Sequence, residues 1–272
     1  MPRLQVKEVS CKTLLHKLEF GKGLEYTANL YRGCSHGCVY CYAPSLVHDE
    51  RKWGAFVDAK VNAPSVLAAE LRSLEKAPVF LSSASDPYQP VEARYRLTRR
   101  CLEVLKARRF PVVVLTRSPL VLRDIDLLTR MEWVRVGCSI STASERAYEP
   151  GVVPVERRLE CLKQLSRAGV KTWVSLAPIV PGIITMDLRR LVSRIKEAGV
   201  STVTPGLLRF GPYPDSRKMF EESTGLGAES VLGSGDEVLG EVREMISSEG
   251  FVSADELFSW EEAQPRLDAY AS

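Results

Sequence analysis

Apolar and polar positions along this chain repeat with a period of about 35 residues from residue 61 onward. Each unit is an amphipathic stretch, with apolar residues three and four apart, followed by a short apolar run ending in small polar residues. The amphipathic stretches, 65–76, 97–109, 121–131, 155–168 and 187–198, predict helices. The apolar runs, 78–81, 112–115, 133–138, 171–176 and 200–203, predict strands, and residues 24–29 add a first strand ahead of them. Two helices end in Ala-Gly-Val, at 168–170 and 198–200, where a glycine stops the helix and feeds the next strand. Six strands alternating with helices predict a parallel sheet with right-handed crossovers. Six units fall short of an eight-stranded barrel, so the pattern predicts an open or partial barrel. A doubly wound sheet is the alternative, and no GxGxxG follows an early strand to support it.

Small polar residues collect where the strands end. The second strand runs into Ser82-Ser83-Ala84-Ser85-Asp86-Pro87 and the third into Thr116-Arg117-Ser118. The fourth carries Ser139, Ser141 and Thr142, and the fifth ends at Ala177-Pro178. Barrel enzymes place their active sites at these C-terminal strand ends, although Ser and Thr there also cap the helices that follow. After residue 205 the alternation stops. Residues 205–214 are rich in Gly and Pro, and short helical patterns follow at 216–222, 237–249 and 254–262. The expected division is an N-terminal extension (1–24), a barrel (25–205) and a small helical C-terminal appendage (206–272).

Composition adds a few bounds. The 272 residues, 45% of them hydrophobic, suffice for one large core. A net charge of +3 permits an anionic partner without requiring one. Residues 1–20 show no secretory signal, and no stretch reaches the roughly 18 apolar residues of a membrane span. The expectation is a cytoplasmic protein, monomeric, with no membrane partner. The cysteine count is seven, and three fall within eight residues, which fits a metal site in a reducing compartment better than a disulfide framework.

Those three are Cys34, Cys38 and Cys41, spaced Cys-x3-Cys-x2-Cys between Tyr31-Arg32-Gly33 and Tyr42. Three thiolates on one tight loop can hold three irons of a 4Fe–4S cubane and leave the fourth iron open. An open iron can chelate the amino and carboxylate groups of S-adenosylmethionine (SAM), whose sulfonium bond an electron from the cluster then breaks to give a 5′-deoxyadenosyl radical. Gly33 and Gly37 suit a chain that wraps a cluster closely, and Tyr40 stands where an aromatic can pack on the adenine. The competing reading is a zinc site from the three cysteines with His36 or His48. It would make the chain a non-enzymatic metal-binding or nucleic-acid-binding module.

With this loop on the page, the sequence resembles the radical SAM superfamily, and within it the spore photoproduct lyase-related (DNA repair photolyase-like) group. The likeness rests on residues 31–42, 83–92, 116–128, 139–158 and 177–182, and spans roughly 25–205. It implies a partial (β/α)6 TIM-like barrel and a lyase-like or transferase-like enzyme that takes electrons from a reductant such as flavodoxin or ferredoxin. It implies that Ser82, Ser83 and Ser85 meet the methionine amino group and that Arg117 meets its carboxylate or a ribose oxygen. Ser139 and Ser141 would bond the carboxylate or ribose, and Arg157 is a second carboxylate ligand by the same likeness. One departure matters. Where photoproduct lyases carry a hydrogen-donating cysteine, this chain has Ser83, whose O–H bond is too strong to serve. Spore photoproduct repair is therefore not expected. Cys138 is the weaker candidate donor, with a buried apolar role as its simpler reading.

A basic run, Arg94, Arg96, Arg99, Arg100, Lys106, Arg108 and Arg109, follows the second strand. It could hold the phosphates of a nucleic-acid substrate whose base is extruded into the barrel. It could equally be the solvated face of an outer helix.

Overall fold

The computed structural model describes residues 4–18, 24–142, 148–210 and 216–252, and the side chains of all of these except 185 and 186. In chain order the strands are β1 (Gln5–Val9), β2 (Leu15–Lys17), β3 (Tyr26–Ala28), β4 (Tyr31–Arg32), β5 (Phe56–Lys60), β6 (Val79–Leu81), β7 (Val112–Thr116), β8 (Val134–Ser139), β9 (Lys171–Ile179) and β10 (Thr202–Leu207). The helices are α1 (Ala43–Val47), α2 (Ala63–Glu70), α3 (Glu92–Tyr95), α4 (Leu97–Ala107), α5 (Ile125–Leu128), α6 (Val155–Arg167), α7 (Ile184–Glu197), α8 (Ser216–Thr224), α9 (Ala228–Gly233) and α10 (Gly235–Ser248).

The main sheet runs β10-β9-β8-β7-β6-β3-β2. From β3 to β10 every pairing is parallel, and β2 closes one edge antiparallel to β3. These six parallel strands, with helices between them, form the expected partial (β/α)6 barrel. Alternation along each strand separates two apolar layers. Val79, Leu81, Val112, Val114, Val134 and Val136 face the helices and join one large core. Val174, Leu176 and Val203 join a second core with α6, α7 and α10. The opposite faces carry Phe80, Val113, Leu115 and Trp173, which fill the other side with Trp133.

The structure departs from the sequence reading in several places. The helix expected at 65–76 ends at Glu70. The helix expected at 121–131 splits into a 3-10 turn (Pro119–Asp124) and the short α5. The break falls at Asp124, a buried carboxylate that accepts hydrogen bonds from Tyr88, Arg99 and Arg123. The fifth strand continues to Ile179, and the sixth runs from Thr202 to Leu207. Helix α9 was not anticipated. Neither was a second sheet, β1-β5-β4, in which β5 pairs parallel with β1 and antiparallel with β4. Helix α10 buries Val238, Leu239, Val242 and Ile246 in the same core as α7 and β10. The helical pattern at 254–262 lies outside the described residues.

Gly137, on β8, leaves the room that Trp173 of β9 occupies. A Cβ there would stand 2.2 Å from the indole Cε2. Gly137→Ala is therefore expected to destabilise the fold by about 1–3 kcal/mol through overpacking, read as a lower urea midpoint followed by tryptophan fluorescence.

Candidate functional site

The cysteine loop leaves β4 and enters α1. Its entry needs glycine: Gly33 has φ +85°, and a Cβ would meet the Phe56 carbonyl oxygen at 2.5 Å. Neighbouring strand ends grip the loop from two sides. Gln89, fully buried, accepts from the Ser35 N–H at 2.9 Å and donates to the Gly33 carbonyl at 3.2 Å. The loop between β8 and α6 bonds it as well, through Gly151 N–H to His36 O at 3.0 Å and Val39 N–H to Tyr148 O at 3.1 Å.

Cys34 and Cys38 are buried, Cys41 is half-buried, and none is in a disulfide. All three line one cavity of about 320 Å³ at the C-terminal end of the parallel strands. Burial pushes the Cys38 thiol up to about 12, although Arg117 pulls the other way. Burial also raises Cys34, with Asp86 adding to it, and raises Cys41. Such thiols are neutral until a metal replaces their protons. Among the described residues no three His, Cys, Asp or Glu side chains gather to hold a single metal ion. The three cysteines share a cavity wall, as a cubane with three separately ligated irons requires. Of the histidines in the zinc reading, His36 lines the same cavity with its Nδ1 3.4 Å from Asp86 Oδ2, and His48 is exposed at the end of α1.

The strand ends supply the other walls. Tyr40, Ser82, Ser83, Ser85, Arg117 and Ser139 all line the same cavity. Ser82 sits at φ +63°, and its buried hydroxyl has no hydrogen-bond partner. Ser83 Oγ accepts from Thr27 at 2.9 Å, and Ser85 Oγ donates to the Tyr31 carbonyl at 3.4 Å. Ser139 Oγ donates to the Ala177 carbonyl at 3.1 Å. The buried Asp86 accepts from the Thr116 hydroxyl at 2.6 Å and the Arg117 N–H at 2.7 Å, which fixes the tip of β7. An orphaned hydroxyl in a cavity walled by soft sulfur donors and a guanidinium fits a cluster and a zwitterionic cofactor.

Beneath this wall lies a charged cluster of which the sequence reading singled out only Tyr40 and Arg117. The Tyr40 hydroxyl donates to Glu149 Oε1. Arg158 Nη2 donates to Glu149 Oε2 at 3.1 Å, and its Nη1 donates to the Ser139 carbonyl at 2.8 Å. Arg117 reaches the same group, with Nε 3.6 Å from Glu149 Oε1 and Nη2 3.3 Å from the Tyr40 oxygen. Burial pushes the Glu149 carboxyl up, but Arg158, Arg117 and the Tyr40 hydrogen bond outweigh it and hold the group below the ordinary range.

Three residues singled out in the sequence are not brought to the cavity. Arg157 is exposed on α6. Its neighbour Arg158 turns inward instead, in phase with the buried positions Val155, Leu159 and Leu162, so helical periodicity carried the signal. Ser141 lies 3.4 Å from the Tyr148 hydroxyl. Cys138 packs in the apolar core, where burial pushes its thiol up to about 12. Arg209, just past β10, lines the cavity and had no sequence signal. The basic run is partly neutralised: Arg99 pairs with Asp124 and Asp126, and Arg109 with Glu132.

Comparison with known proteins places the chain. The family model of the radical SAM superfamily matches residues 28–195. An uncharacterized protein of Methanocaldococcus jannaschii is 34% identical over 170 residues, covering 61% of this chain and 64% of the relative. The matched stretch thus spans less than two thirds of that relative's length. A radical SAM Nα-GlyT isomerase of Pseudomonas phage M6 is 29% identical over 171 residues, covering 61% of this chain and 35% of the isomerase. Among solved structures, spore photoproduct lyase complexed with dinucleoside spore photoproduct shares the fold, with a TM-score of 0.61 and 18% identity over 82% of this chain and 67% of the lyase.

The buried cluster yields a prediction. Glu149→Ala leaves Arg158 buried without its carboxylate and is expected to cost about 3–5 kcal/mol. Because the folded-state value of Glu149 lies below the unfolded one, its stabilisation is complete above the unfolded value of about 4.3 and is lost as pH falls through the folded value. The gap in urea midpoint between the wild type and Glu149→Gln should therefore be largest at neutral pH and shrink in acid.

Proposed function

We propose a function from one premise: the chain belongs to the radical SAM superfamily. Members of this family are enzymes that use a 4Fe–4S cluster and SAM and need a reductant. We assign the cluster to Cys34, Cys38 and Cys41. The observation that carries this assignment is that three cysteines from one loop, none in a disulfide, line the same cavity as the polar strand ends. When bound, the cluster supplies the electron that cleaves SAM to methionine and a 5′-deoxyadenosyl radical.

The chain's own residues then bind and orient. The backbone and hydroxyls of Ser82, Ser83 and Ser85 receive the methionine amino group, and the unpartnered Ser82 hydroxyl is the first of these. Arg117 takes the carboxylate, its position fixed by Asp86 at the backbone and by Glu149 and Tyr40 at the guanidinium. Ser139 and Tyr40 line the ribose and adenine side. Arg157, Ser141 and Cys138 receive no role in cofactor binding, since none of them lines the cavity. A small flavodoxin- or ferredoxin-type protein is the proposed electron donor.

For the substrate we propose a nucleic acid. Arg94, Arg96, Arg100 and Arg108 are exposed, and the half-exposed Tyr42 lines the cavity. The solved lyase of the same fold holds a dinucleoside photoproduct. Among the described residues no helix is long and apolar enough to cross a membrane.

After anaerobic reconstitution the protein is expected to be brown, to bleach with dithionite and to form 5′-deoxyadenosine from SAM. Alanine at Cys34, Cys38 or Cys41 should abolish all three. A colourless protein carrying stoichiometric zinc after the same treatment would overturn the assignment. Arg117→Lys should keep its iron and lose roughly ten- to a hundredfold in SAM affinity, as expected for a charge-assisted hydrogen bond worth about 1.5–3 kcal/mol, measured by equilibrium binding. Retention on a DNA column should fall steeply with added salt; no retention at low salt would refute the substrate class.

A further inference from the structure

The cofactor residues come from one part of the cavity wall: the cysteine loop and the ends of β6, β7 and β8. The ends of β9 and β10 supply another part, with Ser175, Ala177, Pro178, Leu207, Leu208 and Arg209. Cofactor binding gives none of these a role. The two strands are held close at this end. A Cβ on Gly206 would stand 3.2 Å from the Ala177 Cβ. One residue past β10, the Leu208 N–H donates to the Ile179 carbonyl at 3.3 Å, and the Leu208 side chain is buried. Arg209 follows directly. It is exposed and it lines the cavity, so its guanidinium stands on a fixed stem where the cavity meets solvent.

Charge distinguishes Arg209 from the other arginine of the cavity. Arg117 is answered by Glu149 at 3.6 Å. The cavity's own carboxylate, Asp86, is taken up by the Thr116 hydroxyl and the Arg117 N–H. Among the described residues no carboxylate pairs with Arg209. An unanswered cation at a cavity mouth concentrates anions there, and a guanidinium offers the planar fork of donors that suits a phosphate. The methionine carboxylate already has Arg117, which leaves Arg209 open to an anion that arrives with the substrate. Phe80, Leu115 and Leu207 line the same cavity and give it apolar surface suited to the face of a base.

We propose that Arg209 is a substrate-binding residue that holds the phosphodiester beside the nucleotide whose base enters the cavity. The inference rests on the nucleic-acid reading above. It adds the side from which the strand approaches, that of β9 and β10, and the group that sets its register. Phosphate contacts fix where a protein sits on a strand and carry no sequence information themselves. Arg94, Arg96, Arg100 and Arg108, exposed away from the cavity lining, can meet phosphates anywhere along a bound strand. Arg209 meets one phosphate in step with the reacting nucleotide. No bond forms or breaks at Arg209.

The test is equilibrium binding of a thymidine dinucleotide, whose single bridging phosphate carries its only charge, followed by ligand-observed NMR. The full reconstituted chain is used, with SAM bound and no reductant added. A second ligand has a neutral methylphosphonate in place of the phosphate. The wild type should bind the neutral ligand about tenfold more weakly, the loss of one charge-assisted contact. Arg209→Gln should bind both ligands alike, at the weaker level. Arg209→Lys keeps the charge and should keep the preference. Equal urea midpoints for the three chains separate a lost contact from lost folding. A wild type indifferent to the phosphate, or an Arg209→Gln chain that retains the full preference, would overturn the proposal. So would a wild type that is retained on DNA but binds no dinucleotide, because its affinity would then come from phosphates outside the cavity. A wild type that is not retained on DNA at low salt sinks the nucleic-acid reading first and the Arg209 role with it.

Discussion

One buried carboxylate organises this site. Glu149 has almost no water around it, so its charge must be answered by the protein. The answers come from three separate elements: Arg158 on α6, Arg117 after β7 and Tyr40 in the cysteine loop. Each of these groups is in turn fixed by Glu149. The carboxylate therefore couples the loop that carries the sulfurs to the strand ends that face them. A neutral residue could fill the same volume, but it would leave two guanidiniums without a counter-charge in a dry interior. The positions of Arg117 and Tyr40 against the cavity depend on this balance.

A second clamp, built on the same logic, acts from outside. Arg51 divides its donors between Asp49 and Asp58 and covers Phe56. It holds a segment that owes nothing to the barrel repeat. The small β1-β5-β4 sheet anchors the far end of this segment, which explains why residues near the N-terminus are folded back beside the cysteines. The barrel supplies the floor and walls of the cavity, and this added sheet supplies the cover over the sulfur side.

Much of this was legible in the residues. The repeat of amphipathic stretch and apolar run located five of the six parallel strands, and the apolar stretch at 24–29 located the first. The three cysteines and the polar strand ends were legible because their chemistry is concentrated in short segments. What escaped was long-range. Gln89 and Glu149 have no local signature, since each acts on a partner brought near only by the fold. Arg157 carries the family likeness, whereas the helical phase of α6 turns its neighbour Arg158 inward with Val155, Leu159 and Leu162. Strands β2 and β4 escaped because they are short and β1 because it is exposed, which gives no strong period, while the buried β5 lies ahead of the repeat.

The bond between Tyr40 and Glu149 joins residues 109 positions apart. The loop bearing the cysteines is made early in synthesis, but the groups that hold it in place, through Arg158, emerge more than a hundred residues later. Contacts of such separation form late in folding, after many local elements. The order of events is thereby written into the topology. A nascent chain carries three cysteines in a row without a finished cradle, and the cradle exists only once the fourth barrel strand and the helix after it have docked. The cradle around the three cysteines is therefore a property of the folded chain and not of the loop alone.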